Sequence, residues 1–365
     1  MEYETVIGLE VHIQLQTQSK MFCPCRADYH DAPVNSRVCP VCLGLPGSLP
    51  VINKKAVEYT IMMGLALGCE IPGLTKFDRK NYPYPDLMKG YQISQYDMPL
   101  AMNGRLEITA NGQDRSVRVE RVHLEEDVSK LQHVNGGNND AHSLVDVNRS
   151  GVPLMEVVSH PDMRTPEEAR SYLTKLHSII QYLGVSTANA QDGSFRCDAN
   201  ISLRPFDQEE YGTKAEIKNM NSLSAVFLAL NHEVERQRKV LDSGERVVQE
   251  TRGWSEERGA TYSQRSKEEA HDYRYFPEPD LPPLVVDQAW IEDIRAKIPQ
   301  LPADRLKSFM DAYGLPEYDA RLLTNSRAMA DYFDQAAGFR PPSGDESDRL
   351  AKNISNWMLG DLSRL

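Results

Sequence analysis

Residues 5–17, TVIGLEVHIQLQT, alternate along their whole length. Leu9, Val11, Ile13 and Leu15 fall on one side of an extended chain, and Glu10, His12, Gln14 and Gln16 fall on the other. A period of two marks a strand with one buried and one open face. The open face carries a carboxylate and an imidazole two positions apart, so the stretch poses a chemical question as well as a structural one.

The same pattern returns further along the chain. In residues 193–205, GSFRCDANISLRP, Phe195, Cys197, Ala199, Ile201 and Leu203 face inward while Ser194, Arg196, Asp198, Asn200, Ser202 and Arg204 face outward. Cys197 therefore reads as packing. In KAEIK, Lys214, Glu216 and Lys218 oppose Ala215 and Ile217. In RSVRVERVHLEEDVSK, Val117 and Val119 have one parity and Val122 and Leu124 the other, which predicts a bulge between them. Beyond it His123, Glu125 and Asp127 share a face, and Glu126, of opposite parity, reads as a structural acid. PLMEVVS, residues 153–159, holds the single acid Glu156.

Any one of these polar faces fits the wet side of an antiparallel sheet. Their recurrence, with acids beside His and Arg, points to one antiparallel sheet with helices behind it and a polar surface on which these side chains converge. Carboxylates and an imidazole on a rigid sheet suit Mg²⁺ carrying nucleotide phosphates, and neighbouring Lys and Arg would neutralise charge during phosphoryl transfer.

The helices are legible by their caps. RTPEEARSYLTKLHSIIQYLG has Thr165 as cap, Pro166 in the first turn and Glu168 placed for a capping box; Ala169, Tyr172, Leu173, Leu176, Ile179, Ile180 and Leu183 form its apolar stripe, and Gly184 ends it. A shorter helix follows Asn53 and ends near Gly68, and another spans about Ser224 to Leu241, closed by Gly244. Residues 77–100 show no period and read as a long ordered loop. Residues 254–283 are polar and then Pro-rich; after Pro283 every segment has helical periodicity. The fold class is thus α+β: a sheet domain over residues 1–290 and a helical domain over 291–365, with the boundary between about 284 and 293.

Four of the six cysteines, Cys23, Cys25, Cys39 and Cys42, stand as CPC and CPVC on either side of a loop. Such spacing brings four thiolates to one tetrahedral ion, and zinc is the usual choice. With every ligand position filled the metal is structural; disulfides are the rival reading. The 365 residues carry 41 Lys and Arg against 53 Asp and Glu, a net charge of −12, which excludes a wholly basic nucleic-acid-binding surface and leaves a local patch. No leader sequence or membrane span is read, and the cytoplasm is the expected location. The chain lacks GxxxxGK[ST], GxGxxG and GxSxG patterns and an amidase-like Gly/Ser stretch, so a nucleotide must be held by metal and basic side chains.

Taken together, GLEVHIQLQT, CPVCLGLPGSLPVIN, KGYQISQYD, HLEEDVSK, DVNRSGVPLMEVVS, QDGSFRCDANISLR, KAEIKNMNS, QETRGW and RSKEEAHDYRYFPEPDLPPL resemble, in order and over the whole chain, the B subunits of the tRNA-dependent amidotransferases. That resemblance implies a cradle domain related to glutamine synthetase, then a helical domain and a tail domain. It implies phosphorylation by ATP and Mg²⁺ of the side-chain carboxylate of Glu-tRNA(Gln) or Asp-tRNA(Asn). It further implies amidation by ammonia from a separate amidase subunit, with a small third subunit completing a heterotrimer. Carried onto this chain, Glu10, His12 and Glu125 are the expected metal ligands, with Glu156, Asp192, Asp198 and Glu216 around them. Lys89, Arg196, Lys214 and Lys218 are expected to meet phosphate or the tRNA 3′ end, and Tyr82, Tyr84 and Tyr91 are candidates to stack on its terminal adenosine.

Three departures accompany it. The sequence ends at Leu365 within helical pattern, so the tail domain is expected to be absent and tRNA affinity to suffer. Pro83 and Met88 differ from the usual residues of their loop, and the residue before Arg265 is not the usual Met. Two other readings stand beside this one: a non-catalytic zinc-stabilised tRNA-binding scaffold, and a glutamine-synthetase-like ligase acting on free amino acids.

Overall fold

The computed structural model describes residues 2–134, 142–266, 272–339 and 345–362. In chain order come β1 (Tyr3–Gln14), α1 (Lys54–Ala66), β2 (Leu74–Thr75), β3 (Asp78–Asn81), β4 (Tyr91–Ser94), β5 (Ala101–Ala110), β6 (Gln113–Glu126), β7 (Lys130–Val134), β8 (His142–Asp146) and β9 (Pro153–Ser159). Then follow α2 (Pro166–Leu183), β10 (Phe195–Pro205), β11 (Ala215–Met220), α3 (Leu223–Asp242), β12 (Glu250–Ser255), β13 (Ala260–Ser266), β14 (Phe276–Pro277), β15 (Leu284–Val285), α4 (Gln288–Arg295), α5 (Pro302–Tyr313), α6 (Glu317–Thr324), α7 (Arg327–Ala337) and α8 (Asp345–Gly360).

One eight-stranded sheet, in the order β13-β12-β11-β10-β1-β9-β6-β5, organises the larger part. Its neighbours are antiparallel except β11 and β12, which run parallel, so the sheet is mixed. β1 lies inside the sheet because both of its edges are paired, one with β10 and the other with β9. Ile7, Leu9, Val11 and Ile13 are almost wholly buried, as are Ala199 and Ile201 beside them on β10. Behind that face Leu173 of α2 and Val226 of α3 pack with Phe195, Cys197 and Met220. Each fully buried aliphatic side chain of this kind contributes roughly 1.5–3 kcal/mol. The apolar slip in β6 is a register shift between Val119 and Arg121, which restores the inward phase at Val122 and Leu124.

Three readings of the sequence need correction. Residues 77–100 are not one loop: β3 and β4 pair antiparallel, and β14 adds to β3. The polar stretch after Trp254 includes β13, which pairs with β12 at the sheet edge. At α2, Glu168 N–H donates to Thr165 Oγ1 as a cap requires, but the Glu168 carboxylate accepts from Arg164 N–H and pairs with Arg115, one residue short of a regular capping box.

The chain divides into two compact units: Met1–Thr174 with Val185–Ala296, and Lys175–Gly184 with Lys297–Leu365. The second unit has its own core of Phe309, Leu323, Phe333 and Met358. No described helix is long and apolar enough to cross a membrane.

Candidate functional site

Cross-strand register fixes what the open face presents. His12 is opposite Glu156 on one side and Arg196 on the other; Glu10 is opposite Val158 and Asp198; His123 is opposite Glu156, and Glu125 opposite Leu154. Paired residues share a face, so acids from β1, β6 and β9 meet on one surface. His12 Nε2 lies 3.5 Å from Glu156 Oε2 and 3.8 Å from Glu125 Oε1, and His123 Nε2 lies 3.2 Å from the same Glu156 oxygen. One donor atom each from His12, Glu125 and Glu156 falls within 4.8 Å of the others. Glu125 and Glu156 are buried, and His12 is half-buried.

Glu10 shares the face but stands outside this triplet. Its carboxylate accepts from Asn200 Nδ2 at 2.9 Å, and burial together with the charges of Glu156 and Asp198 pushes its pKa up. Burial alone would also raise Glu156, but the imidazoles of His12 and His123 and the ammonium of Lys80 hold it well below the ordinary carboxylate range.

The surface opens into a cavity of about 320 Å³ lined by His12, Glu125, Lys80, Arg196, Asp198 and Lys218, among others. Three cations enter it, two of them held by their own acids. Arg196 lies 3.2 Å from both oxygens of Asp127, which also accepts from Gln14 Nε2 at 2.6 Å. Lys218 Nζ lies 2.5 Å from Asp198 and 3.2 Å from Glu216. Lys80 rises from β3 between tyrosine rings, 4.9 Å from the centre of Tyr273 and 5.9 Å from that of Tyr82. Burial opposes its charge, but Glu125, Tyr275, Tyr82 and Glu156 outweigh that and raise its pKa.

Asp127 also gives a pH prediction. Burial would raise its carboxyl, yet Arg196 and Arg149 hold it below the ordinary range. A depressed carboxyl stabilises the fold above its unfolded value near 4 and loses that contribution as pH falls through its lower folded value. Asp127→Asn is expected to cost about 2 kcal/mol at neutral pH. The difference from wild type should shrink below about pH 4, as chemical denaturation across pH would measure.

The remaining expected residues lie elsewhere. Asp192 is exposed in a turn, where it accepts Ser194 N–H, and Lys214 is exposed just before β11. Lys89 pairs with Glu126 at 2.5 Å, and Glu126 also accepts Ile93 N–H, which makes Glu126 the structural acid its parity implies. Tyr82 lines the cavity, whereas Tyr91 lies under Arg79 and Tyr84 is exposed. Lys80, Tyr273 and Tyr275 were not read as site residues from the sequence. Their signal was faint: a lysine in a four-residue strand, and tyrosines nearly two hundred positions away. The stretch before them, residues 267–271 of the RSKEEAH motif, lies outside the described residues, as does Leu365.

The second cluster is Cys23, Cys25, Cys39 and Cys42, whose sulfurs lie within 4.8 Å of one another. All six cysteines are free thiols, so the disulfide alternative is not realised. Cys39 N–H donates to Cys42 Sγ at 3.2 Å, and these two sulfurs stand 3.9 Å apart. A hydrogen bond from Cys23 pulls Cys42 down to about 5, and burial with Cys39 beside it pushes Cys25 up to about 11. Four convergent soft donors fit a tetrahedral ion such as zinc. The following turn touches the first site's surroundings. Gly44 has φ +65°, and a Cβ there would stand 2.7 Å from Lys89 Cγ, so only glycine fits.

Residues 5–292 match the family described as the GatB/GatE catalytic domain. The chain is similar over its whole length to proteins named as the B subunit of the aspartyl/glutamyl-tRNA(Asn/Gln) amidotransferase. It is 61% identical to that of Dehalococcoides mccartyi (strain CBDB1) over 364 residues, 56% identical to that of Carboxydothermus hydrogenoformans and 57% identical to that of Thermomicrobium roseum. In each case it spans 74% of the relative's length.

Proposed function

Because this chain belongs to the family of the GatB/GatE catalytic domain, we propose that it is the B subunit of an aspartyl/glutamyl-tRNA(Asn/Gln) amidotransferase and carries its ATP-dependent step. The observation that supports this most is the His12–Glu125–Glu156 triplet on an open sheet face beside a cation-rimmed cavity. A helix-backed sheet with its polar side free also suits a cradle of the glutamine-synthetase kind.

One imidazole and two carboxylates within 4.8 Å form an oxygen-rich set that suits a hard divalent cation. His12, Glu125 and Glu156 would hold Mg²⁺, which would supply positive charge to offset that of the nucleotide phosphates. The protein's own residues do the rest. Lys80, Arg196 and Lys218 present donors toward the space where the γ-phosphoryl passes from ATP to the side-chain carboxylate of the esterified Glu or Asp. Because Asp127 and Asp198 already anchor Arg196 and Lys218, little reorganisation is needed as charge shifts. Tyr82 and Tyr273, flanking Lys80, keep water from the activated acyl group. Ammonia then displaces phosphate from the acyl carbon. It must come from outside, since this sequence has no amidase motif; an amidase subunit and a small third subunit are the partners of this heterotrimer. The four-cysteine cluster holds structural zinc.

The test is reconstitution with the amidase and small subunits, ATP, Mg²⁺, glutamine and Glu-tRNA(Gln). Gln-tRNA(Gln) should form, and Lys80→Met should reduce its rate about a hundredfold or more, the usual effect of removing one preorganised charge, while glutamine hydrolysis continues. Tight tRNA binding with no Mg²⁺-dependent nucleotide binding would favour the scaffold reading, and product from free glutamate would favour the free amino-acid ligase.

A further inference from the structure

Lys20 is the most deeply buried cation of the described residues, 1% exposed. Its ammonium has only main-chain acceptors: Arg37 carbonyl at 2.7 Å and Val147 carbonyl at 3.5 Å. No described carboxylate pairs with it. Neutral carbonyls solvate an ammonium, but they do not cancel its charge, and a buried uncompensated charge costs several kcal/mol. The residue is nevertheless built in tightly. Lys20 N–H donates to Cys25 carbonyl, and its side chain runs past Gly151, where a Cβ would stand 3.5 Å from Lys20 Cδ and 3.7 Å from Cys42 Cβ. Its ammonium is thus tied to the loop that carries Cys39, its stem and Cys42 Cβ both border Gly151, and its positive charge favours the Cys42 thiolate.

That placement has a counterpart in the cysteine cluster. Four thiolates around one divalent ion leave a net charge of −2 in a half-buried site, which needs a nearby positive charge. We propose that Lys20 is the countercharge of the metal-loaded four-cysteine cluster, so that each buried charge is compensated only when the other is present. The inference rests on reading the cysteines as a metal site.

The connections from Lys20 give it a wider reach. Met21 N–H donates to Gly151 carbonyl at 2.7 Å, and Gly151 N–H donates to Asp127 carbonyl at 2.9 Å. Asp127 holds Arg196 in the cavity. Val147, whose carbonyl receives the ammonium, donates its own N–H to Asn35 Oδ1, and buried Asn148 accepts Arg37 N–H. The interior of the cysteine loop and the residue that orients Arg196 therefore share the turn on which Lys20 closes.

The test compares wild type, Lys20→Met and Lys20→Gln in the full chain, by zinc content, by rate of zinc release to a chromogenic chelator, and by melting temperature with zinc bound and after stripping under reducing conditions. Glutamine keeps a donor for the carbonyls but no charge. Both variants should release zinc at least tenfold faster. Each should melt lower than wild type when loaded and no lower when stripped, because the stripped protein buries Lys20 without a partner. Equal destabilisation with and without zinc would overturn the proposal, as would wild-type release rates in Lys20→Gln. So would failure of Lys20→Gln to fold where stripped wild type stays folded, since Lys20 would then serve the fold irrespective of metal. Wild type free of zinc would instead remove the metal reading of the cysteines, and the proposal with it.

Discussion

Glu125→Gln is expected to lower ATP-dependent amide formation on the charged tRNA by about a hundred- to a thousandfold while leaving the fold intact. Glutamine has the same size as glutamate, and the position keeps its contact with Ser94 Oγ at 3.4 Å, so the change is almost purely electrostatic. Removing the charge takes one of two carboxylates from the His12–Glu125–Glu156 triplet and leaves Lys80 facing a weaker field. An interaction that matters only when phosphate charge is gathered at the site should appear in kcat far more than in melting temperature. Glu10→Gln is expected to cost less, because Glu10 is anchored on Asn200 outside the triplet. Single-turnover assays of Gln-tRNA(Gln) formation with the two variants give the ranking. Full activity of Glu125→Gln would remove the triplet from the mechanism.

The other large effect concerns the cysteine cluster. Cys42→Ser should abolish zinc binding and lower the melting temperature by about 10 °C or more, corresponding to a few kcal/mol for a domain of this size. The reason is topological. Residues between Cys25 and Cys39 belong to no named strand or helix and are tied by bonds such as Asn148 Nδ2 to Pro33 carbonyl and Arg37 N–H to Asn148 Oδ1, so a metal on the four sulfurs would add the tie between the two ends of the loop. Its exit turn carries Gly44 against Lys89, which pairs with Glu126 next to Glu125. Cys69→Ser is the control, since Cys69 is buried apart from the cluster and should leave zinc content at wild-type level. Limited proteolysis within residues 26–38, with and without chelator, would locate the loosened segment, and unchanged zinc content in Cys42→Ser would refute the ligand set.

Much of this protein was readable from local pattern alone, for a definite reason. Strands with one buried face carry a period of two over many residues, so β1, β10 and β6, with its phase slip, declared both their existence and which side chains face the site. Helix caps at Thr165 and Gly184 and the CxC and CxxC spacing are likewise local signals whose chemistry does not depend on what lies far away. Parity also separates Glu125, beside His12, from Glu126, which pairs with Lys89.

What parity leaves open is which polar residues of a given face come together. Glu10 and His12 are equivalent in sequence, but antiparallel register sets His12, not Glu10, opposite Glu156, and that places the cluster. Asp192, Lys89 and Lys214 matched by residue type, yet a turn, an ion pair with Glu126 and an exposed strand entry claim them. Strands of two to four residues such as β3 have too few positions to show a period, and parallel pairing of β11 with β12 leaves no local trace. Lys80, Tyr273 and Tyr275 come together only because β14 pairs with β3. The sequence alone determined the long strands β1, β6 and β10 with their polar faces, the ends of α2 and the cysteine set, because each depends on neighbours a few residues away. Tertiary structure decided which of those polar groups share one cavity, because that depends on register between segments far apart in the chain.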